Sequence, residues 1–231
     1  MFGIIASMCG RYGFSVKDAR EVYDRFGVMN KLADFEPRCN IAPGQYNPVL
    51  LRHSPTSIER MFWGLIPHWS KDETMKWKTI NARSETAATS PSYRKPFRMQ
   101  RCLVPATNFY EWDKSQKPSQ PYCIKLKHED LFAFAGLYDI WHDPKTNTDI
   151  HSYTILTCPP NDLIAPIHNR MPVILKRENE DTWLNPDIVE PEQLQPLLVP
   201  YPEQEMELYS ITTAINNPKN DREDVLHPTT L

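Results

Sequence analysis

The sequence predicts a single α+β domain, in which short helices lie around a mainly antiparallel, barrel-like sheet. Most apolar residues fall in short runs with the alternation that is typical of strands. The 22 prolines stand mostly between these runs, which favours many tight connections and few long helices. No repeat, low-complexity linker or sharp change of composition divides the 231 residues before an acidic last quarter, and the 40% of hydrophobic residues suffice for one core.

The first predicted element is an amphipathic helix over residues 16–26. Ser15 is its predicted N-cap and Gly27 its C-cap, and the apolar residues between them recur at helical spacing. Strands are predicted over residues 48–53, 58–65, 101–106, 121–127, 131–140, 152–158, 172–175 and 208–213. Short helices are predicted over residues 84–89, 163–167, 178–184 and 191–198.

Charge and cysteine content exclude several classes of protein. A net charge of −3 is not that of a strongly basic nucleic-acid-binding domain. Residues 71–101 nevertheless carry eight basic and three acidic side chains, which indicates either one positive face or an ordinary solvated surface.

Five cysteines without a CxxC pair argue against a disulfide framework and a structural zinc site, and favour a reducing, cytoplasmic setting. No apolar run approaches the roughly 20 residues that cross a bilayer.

Cys9, in the stretch MCGR, is the most informative residue of the chain. If translation began at Met8 and the methionine were removed, Cys9 would be the N-terminal residue, and its thiol and amine could both add to one aldehyde to close a thiazolidine ring. Residues 1–8 are too short and lack the basic segment of a secretory signal, so we interpret them as an extension that is absent or removed from a domain over residues 9–231. The alternative is that Cys9 is an ordinary buried thiol.

The segment INARSET, residues 80–86, leads from a polar turn into a predicted helix. The guanidinium of Arg83 and the backbone amides near the helix start could converge on an anion such as phosphate. The alternative is a capped helix with Arg83 facing solvent.

Two other polar residues stand in apolar surroundings that suit proton transfer. Glu111 lies in FYEW, where loss of water should raise the pKa of its carboxyl, as in a general acid or base. His168 lies in a predicted turn, where it could exchange protons near neutral pH. A solvent-facing Glu111 and a locally hydrogen-bonded His168 are the alternatives.

Two tryptophans are the first and last residues of the segment WGLIPHW, which precedes the basic residues 71–101. Trp63 falls within a predicted strand, so we assign it to the core. Trp69 lies beyond Pro67, where it could either pack in a turn or stack on unpaired bases.

Taken together, these segments resemble the SOS-response-associated peptidase (SRAP) family, whose members shield abasic sites in single-stranded DNA. The resemblance extends from Met8 to about Pro218. The matching segments are residues 8–11 (MCGR), 40–44 (NIAPG), 63–67 (WGLIP), 80–86 (INARSET), 101–106 (RCLVPA), 109–112 (FYEW), 134–138 (FAGLY) and 167–172 (IHNRMP).

The resemblance implies that Cys9 is the mature N-terminus and forms a thiazolidine with the C1′ aldehyde of an abasic deoxyribose. It implies that Asn81 holds the linkage and that Glu111 and His168 handle protons. The DNA-binding residues that we predict are Arg11, Asn40, Trp69, Arg83 and Arg170. The family fold is one α+β domain around a barrel-like core with a groove for single-stranded DNA.

The same resemblance implies no metal and no organic cofactor, a monomer, no membrane association, and a cytoplasmic or, in a eukaryote, nuclear location. The partner is single-stranded DNA that contains abasic sites. The chain departs from the family pattern in the extension before Cys9 and at Asn169, where an acidic residue is common.

Two other functions stay open at this point. One is a thiol peptidase or N-terminal-nucleophile amidohydrolase that uses Cys9, Glu111 and His168, for which oxyanion donors should face the thiol. The other is a non-catalytic reader of modified DNA.

Overall fold

The computed structural model describes residues 9–30 and 36–229, and it confirms the predicted α+β class. The strands in this part of the chain are β1 (Tyr12–Phe14), β2 (Arg38–Ile41), β3 (Tyr46–Leu51), β4 (Ser54–Trp63), β5 (Asn81–Arg83), β6 (Arg101–Ala106), β7 (Asn108–Asp113), β8 (Gln120–Leu126), β9 (Phe132–Asp143), β10 (Thr148–Cys158), β11 (Met171–Pro172), β12 (Ile174–Leu175) and β13 (Met206–Ser210). The α-helices are α1 (Ala19–Phe26), α2 (Ser84–Ala87), α3 (Arg94–Met99), α4 (Arg177–Leu184) and α5 (Pro191–Leu194). Short 3₁₀ turns cover Glu73–Trp77, Gln195–Leu197, Glu203–Glu205, Thr213–Asn216 and Glu223–Leu226.

Five strands close into a ring in the order β10, β4, β3, β6, β9, because β10 also pairs with β9. Strands β5, β11 and β12 extend this sheet from β10 and β9. The pairs β4–β10 and β5–β10 are parallel, and the others in the sheet are antiparallel. The prediction of a mainly antiparallel, barrel-like core is therefore confirmed.

A second sheet, in the order β13, β8, β7, β1, β2, is antiparallel throughout. One of its faces packs on the ring of strands, where Tyr12 meets Trp63 at 5.1 Å between ring centroids. The hydroxyls of Tyr12 and Tyr153 form a 2.8 Å hydrogen bond, so this buried contact satisfies both polar groups. The opposite face packs under the C-terminal segment around Tyr110, in a smaller apolar cluster that includes Ile215.

The first helix begins later than its apolar pattern predicts. Asp18, not Ser15, is the N-cap, because the Asp18 side chain accepts from the amide of Arg20. Ser15 instead hydrogen-bonds to the hydroxyl of Thr107. The predicted C-cap is confirmed, since Gly27 ends α1 in the left-handed region at φ 63°.

The predicted helix over residues 163–167 is wrong, because this segment forms turns. The side chain of Asn161 accepts from the amide of Ile164 and donates to the carbonyl of Tyr201, which holds the segment without a helix. The predicted strand at residues 172–175 is divided into β11 and β12 around Val173. Strands β1, β2, β5 and β7 were not predicted.

No helix within the described residues is long and apolar enough to span a bilayer.

Arg101 is fully buried, and within the described residues its hydrogen bonds go to main-chain oxygens and not to a carboxylate. Its guanidinium instead donates all five N–H groups to backbone carbonyls of α3, of α4 and of the segment that follows α4. The acceptors are the carbonyls of Phe97, Arg98, Trp183, Asn185 and Ile188. Arg101 thus fastens the carboxyl ends of α3 and α4 to the outside of the barrel.

We expect Arg101→Met to lower the free energy of unfolding by about 3 kcal/mol or more, because it leaves several buried carbonyls without donors. For a chain of this size the melting temperature should fall by roughly 6–12 °C. The control is Arg98→Met, a partly exposed position, which should cost less than about 1 kcal/mol. Equal melting temperatures for the two variants would show that water replaces the guanidinium.

Candidate functional site

The pairing of β1 with β7 places Cys9 beside Glu111. Tyr12 is opposite Phe109, and the amide of Tyr110 donates to the carbonyl of Arg11 at 3.1 Å. Extended by two residue pairs from Tyr12, this register puts Gly10 opposite Glu111. The preceding residue, Cys9, donates from its backbone N–H to Oε1 of Glu111 at 2.8 Å. Cys9 has φ 38°, which is uncommon for a residue with a side chain and indicates a constrained backbone.

The other wall of the site comes from the barrel sheet, where β5 runs parallel to β10. Asn81, the first residue of β5, donates from Nδ2 to the carbonyl of Cys9 at 3.4 Å. The hydroxyl of Tyr93 donates to the carbonyl of Asn81 at 3.2 Å. The site therefore lies where the two sheets meet, with the thiol on one and the amide on the other.

The turn that joins β10 to β11 brings in His168 and Arg170. Nδ1 of His168 is 3.9 Å from Oε1 of Glu111, and both side chains are nearly buried. Sγ of Cys9 is 4.0 Å from the carbonyl oxygen of Arg170, to which the thiol can donate. The predicted cluster of Cys9, Asn81, Glu111 and His168 is thus assembled in space, while the role of each residue stays a prediction.

Burial controls the ionisation of both central groups. Glu111 is 3% exposed, and burial raises the pKa of its carboxyl, against smaller opposing effects of His168 and of hydrogen bonds from Cys9. Burial, followed by the nearby Glu111 carboxylate, raises the pKa of the Cys9 thiol well above its usual value. Burial in the site therefore favours the neutral forms of both the thiol and the carboxyl. The predicted desolvation of Glu111 is confirmed.

Arg11 and Asn40 are tied to the C-terminal segment. Nη1 of Arg11 donates to Oδ1 of Asn40 at 2.7 Å and to the carbonyl of Ile215 at 2.8 Å. Asn40 is fully buried, and its amide donates to the carbonyls of Ile215, Asn217 and Asn220. These contacts give Asn40 a positioning role beneath Arg11, whose guanidinium lies 5.8 Å from the Trp112 ring centroid. Contact of either residue with DNA stays a prediction.

Arg170 forms a bidentate ion pair with Glu85 across the site, with N–O distances of 2.5 and 2.8 Å. It also donates to the carbonyl of Thr157 at 2.6 Å. This pairing was not predicted, because Glu85 in the first turn of α2 looks in sequence like an ordinary helix-terminal acid. The pKa of Glu85 is lowered, chiefly by its hydrogen bonds from Arg170.

The two other predicted DNA-binding residues are on the surface. Arg83 is exposed at the end of β5, immediately before α2. Trp69 is 50% exposed, and its indole N–H donates to the carbonyl of Pro91 at 3.4 Å. Trp63 is fully buried, which confirms its assignment to the core.

Within residues 9–30 and 36–229, no group of three or more His, Cys, Asp or Glu side chains could hold a metal ion. The five cysteines are free thiols, and all of them are buried.

Comparison with known proteins adds three findings. A family model described as SOS response associated peptidase (SRAP) matches residues 8–218. The abasic site processing protein YoqW of Bacillus subtilis is 43% identical over 224 residues, which cover 95% of this chain and 99% of that protein, and the abasic site processing protein HMCES of Gallus gallus is 31% identical over 96% of this chain and 78% of its own length. A crystal structure of a protein from Bacteroides thetaiotaomicron superposes with a TM-score of 0.88 and 29% identity, over 96% of this chain and all of the other.

We expect Glu111→Gln to melt about 2–4 °C above the unsubstituted protein at pH 8, if ionised Glu111 costs about 1 kcal/mol of stability. The raised pKa means that the ionised carboxylate is less favourable in the folded chain than in the unfolded one. This penalty is absent below the ordinary pKa of 4.5 and grows as the pH rises through the raised value, so the difference should vanish near pH 4. The exposed Glu192, changed to Gln, is the control. A lower melting temperature for Glu111→Gln at pH 8 would contradict the assignment.

Proposed function

Because the chain belongs to the SOS response associated peptidase family, we propose that it processes abasic sites in single-stranded DNA through Cys9. The observation that supports this most directly is the 2.8 Å contact between the Cys9 nitrogen and a buried carboxyl group. The nitrogen and the thiol of Cys9, which are the nucleophiles of the proposed reaction, lie beside Glu111, and His168 is 3.9 Å from that carboxyl.

A free amine at Cys9 is the first requirement of this proposal. The bond to Met8 makes the nitrogen an amide, which does not add to aldehydes, and residues 1–8 lie outside the described residues. Either synthesis begins at Met8 and the methionine is trimmed, or the bond is hydrolysed within the protein. In hydrolysis, water adds its hydroxyl to the Met8 carbonyl carbon and the Cys9 nitrogen gains a proton. Glu111, hydrogen-bonded to that nitrogen and with a raised pKa, is suited to donate it.

Capture then follows from the chemistry of an amine and a thiol. The closed sugar must open to its aldehyde, which requires an acid and a base near the ring oxygen and the hydroxyl. The Cys9 amine adds to C1′, water leaves as an imine forms, and the sulfur adds to the same carbon. One aldehyde, one amine and one thiol thus give a thiazolidine and one water.

Proton transfer in this sequence falls to Glu111 and His168. Because the thiol pKa is raised, the thiolate form is disfavoured, and a base must take the proton as sulfur attacks. Ionised Glu111 accepts the hydrogen bond from the Cys9 N–H, whereas Nδ1 of His168 is 3.9 Å from the carboxyl and hydrogen-bonded to the Arg170 carbonyl at 3.0 Å. Proton transfer between the two side chains therefore requires them to come closer together. In this proposal Asn81, which donates to the Cys9 carbonyl at 3.4 Å, holds the main chain of Cys9 while the ring closes.

The DNA backbone would approach from the exposed side of β5. Arg83 is exposed there and could bind a phosphate, and the half-exposed ring of Trp69 could stack on a base. Arg170 differs, because Glu85 already neutralises it. A phosphate at Arg170 would have to compete with that carboxylate, whereas the carbonyl of the same residue faces the thiol.

Cys9→Ala should abolish covalent capture of abasic single-stranded DNA and leave ordinary single-strand binding nearly unchanged, because the thiol provides chemistry and the arginines provide affinity. The assay is a denaturant-stable band after incubation with an oligonucleotide that carries one abasic site, using protein whose N-terminus at Cys9 has been verified by intact mass. A non-catalytic reader gives no such band with the unsubstituted protein. A stable band from Cys9→Ala would assign the linkage to another amine.

Glu111→Gln should bind the same DNA but form the cross-link about 10²-fold more slowly, the usual scale for loss of a general acid or base. Glutamine keeps the shape and an acceptor for the Cys9 nitrogen, so the folded site is preserved. The rate should be measured in single turnover on protein already trimmed to Cys9, which separates capture from removal of the extension. An unchanged rate would leave proton transfer to His168 alone.

A further inference from the structure

Glu85 lies on the side of the molecule from which the DNA backbone would approach, and it has no part in the chemistry described so far. It is in the first turn of α2, two residues after Arg83. Its carboxylate oxygens accept from Nη1 and Nη2 of Arg170 at 2.5 and 2.8 Å. The Glu85 side chain is 45% exposed, so its negative charge opposes the approach of a phosphate. That charge is therefore unfavourable for DNA binding, and the contacts of Glu85 point to a different role.

Glu85 is a principal anchor of the Arg170 side chain. Arg170 is only 11% exposed, and its Nη2 also donates to the carbonyl of Thr157 at 2.6 Å. Nε of Arg170 is buried and has no hydrogen-bond partner within the described residues. The two terminal nitrogens thus make the hydrogen bonds that hold this guanidinium, and Glu85 accepts from both of them.

The main chain of Arg170 faces the reacting groups. Its carbonyl oxygen is 4.0 Å from Sγ of Cys9 and 3.0 Å from Nδ1 of His168, and its amide nitrogen is 3.2 Å from the same Nδ1. The carboxyl of Glu111, at 3.9 Å, is too far from Nδ1 for a hydrogen bond. Arg170 therefore orients the imidazole through its main chain, while its side chain is held by Glu85.

The ion pair also joins the two walls of the site beyond the end of the sheet. The pairing of β5 with β10 ends at Arg83 and Thr157, and α2 begins at the next residue. On the other side, the pairing of β11 with β10 begins only at Met171, so residues 168–170 precede it. The position of this turn is not set by strand pairing, and the bond from Arg170 to Glu85 fixes it to α2.

We propose that Glu85 is a positioning residue, which acts through the side chain of Arg170 to set the place of the Arg170 carbonyl beside the Cys9 thiol and the orientation of the His168 ring. This inference rests on the proposed function for the reaction that the geometry serves. It has an unusual corollary, because the same carboxylate repels phosphates. Loss of its charge should make DNA binding tighter and capture slower.

The test compares Glu85→Gln with the unsubstituted protein, both trimmed to Cys9. Glutamine keeps the size of the side chain but loses the charge and one of the two acceptors for Arg170. The Kd for an undamaged fluorescent single strand should fall roughly threefold at fixed salt, because a negative charge is removed from the DNA side. Capture of an abasic oligonucleotide at saturating concentration should slow on the order of tenfold in single turnover, because the reacting groups are misplaced.

The matched control is Glu192→Gln. Glu192 is likewise an exposed acid in the first turn of a short helix, α5. Neither its Kd nor its capture rate should change. Rates are compared at a temperature at which circular dichroism shows all three proteins folded, so that loss of structure does not enter the comparison.

A second measurement follows the link to His168 without DNA. In protein labelled at its seven histidines, the ring signal of His168, assigned with His168→Gln, should shift in Glu85→Gln and stay in place in Glu192→Gln. The signals of the other six histidines should not move. General loosening of the fold would instead move several of them together.

An unchanged capture rate in Glu85→Gln, or an unshifted His168 signal, would overturn the proposal. Weaker DNA binding with an unchanged rate at saturation would also overturn it, because Glu85 would then act on binding alone. If the unsubstituted protein captures no abasic DNA, the proposed function is wrong. The His168 signal then decides separately whether Glu85 positions the imidazole.

Discussion

The pairing of β1 with β7 is the constraint on which the site depends. β1 is three residues long, yet it sets the distance between the Cys9 nitrogen and the carboxyl of Glu111. The rest of the molecule keeps that short strand in place. Tyr12 is anchored in the core by Trp63 and Tyr153, and Arg11 is held by the C-terminal segment. A shift of one residue would turn Tyr12 out of the core and carry Cys9 away from Glu111.

The second constraint is electrostatic. The site holds the Cys9 thiol and the Glu111 carboxyl out of water, where their charged forms are disfavoured. The raised pKa of the thiol favours its protonated form, which is slow to oxidise and slow to react with electrophiles. In the proposed capture reaction, the thiol therefore reacts only after a proton transfer within the cluster.

Sequence patterns predicted those parts of the fold whose cause is local. The strand β6 and the end of α1 at Gly27 were predicted to the residue, because a continuous apolar run and a left-handed glycine carry their own signals. The strands β1 and β5 are too short to show a period, and they form because neighbouring strands offer them partners. β5 carries Asn81, and β1 directly follows the segment that carries Cys9. The sequence therefore predicted secondary structure least well next to the candidate site.

The side chains of the site likewise divide into those with a local sequence signal and those that depend on contacts between distant residues. The aromatic neighbours of Glu111 were enough to predict its desolvation, because those neighbours are adjacent in sequence. The pairing of Glu85 with Arg170 joins residues 85 positions apart, and the burial of Asn40 depends on carbonyls near residue 217. Such contacts follow from how the two sheets meet, which a single sequence does not display.

The place of β1 within its sheet has a mechanical consequence. β1 lies between β7 and β2 and runs antiparallel to both, so it has no free edge. In the proposed cross-link, tension on the DNA would reach the protein at Cys9 and pull along this strand. Interstrand hydrogen bonds lie perpendicular to the strands, so such a load shears the bonds on both sides together instead of unzipping them singly. A short strand can in this way serve as a firm tether, because the sheet shares the force.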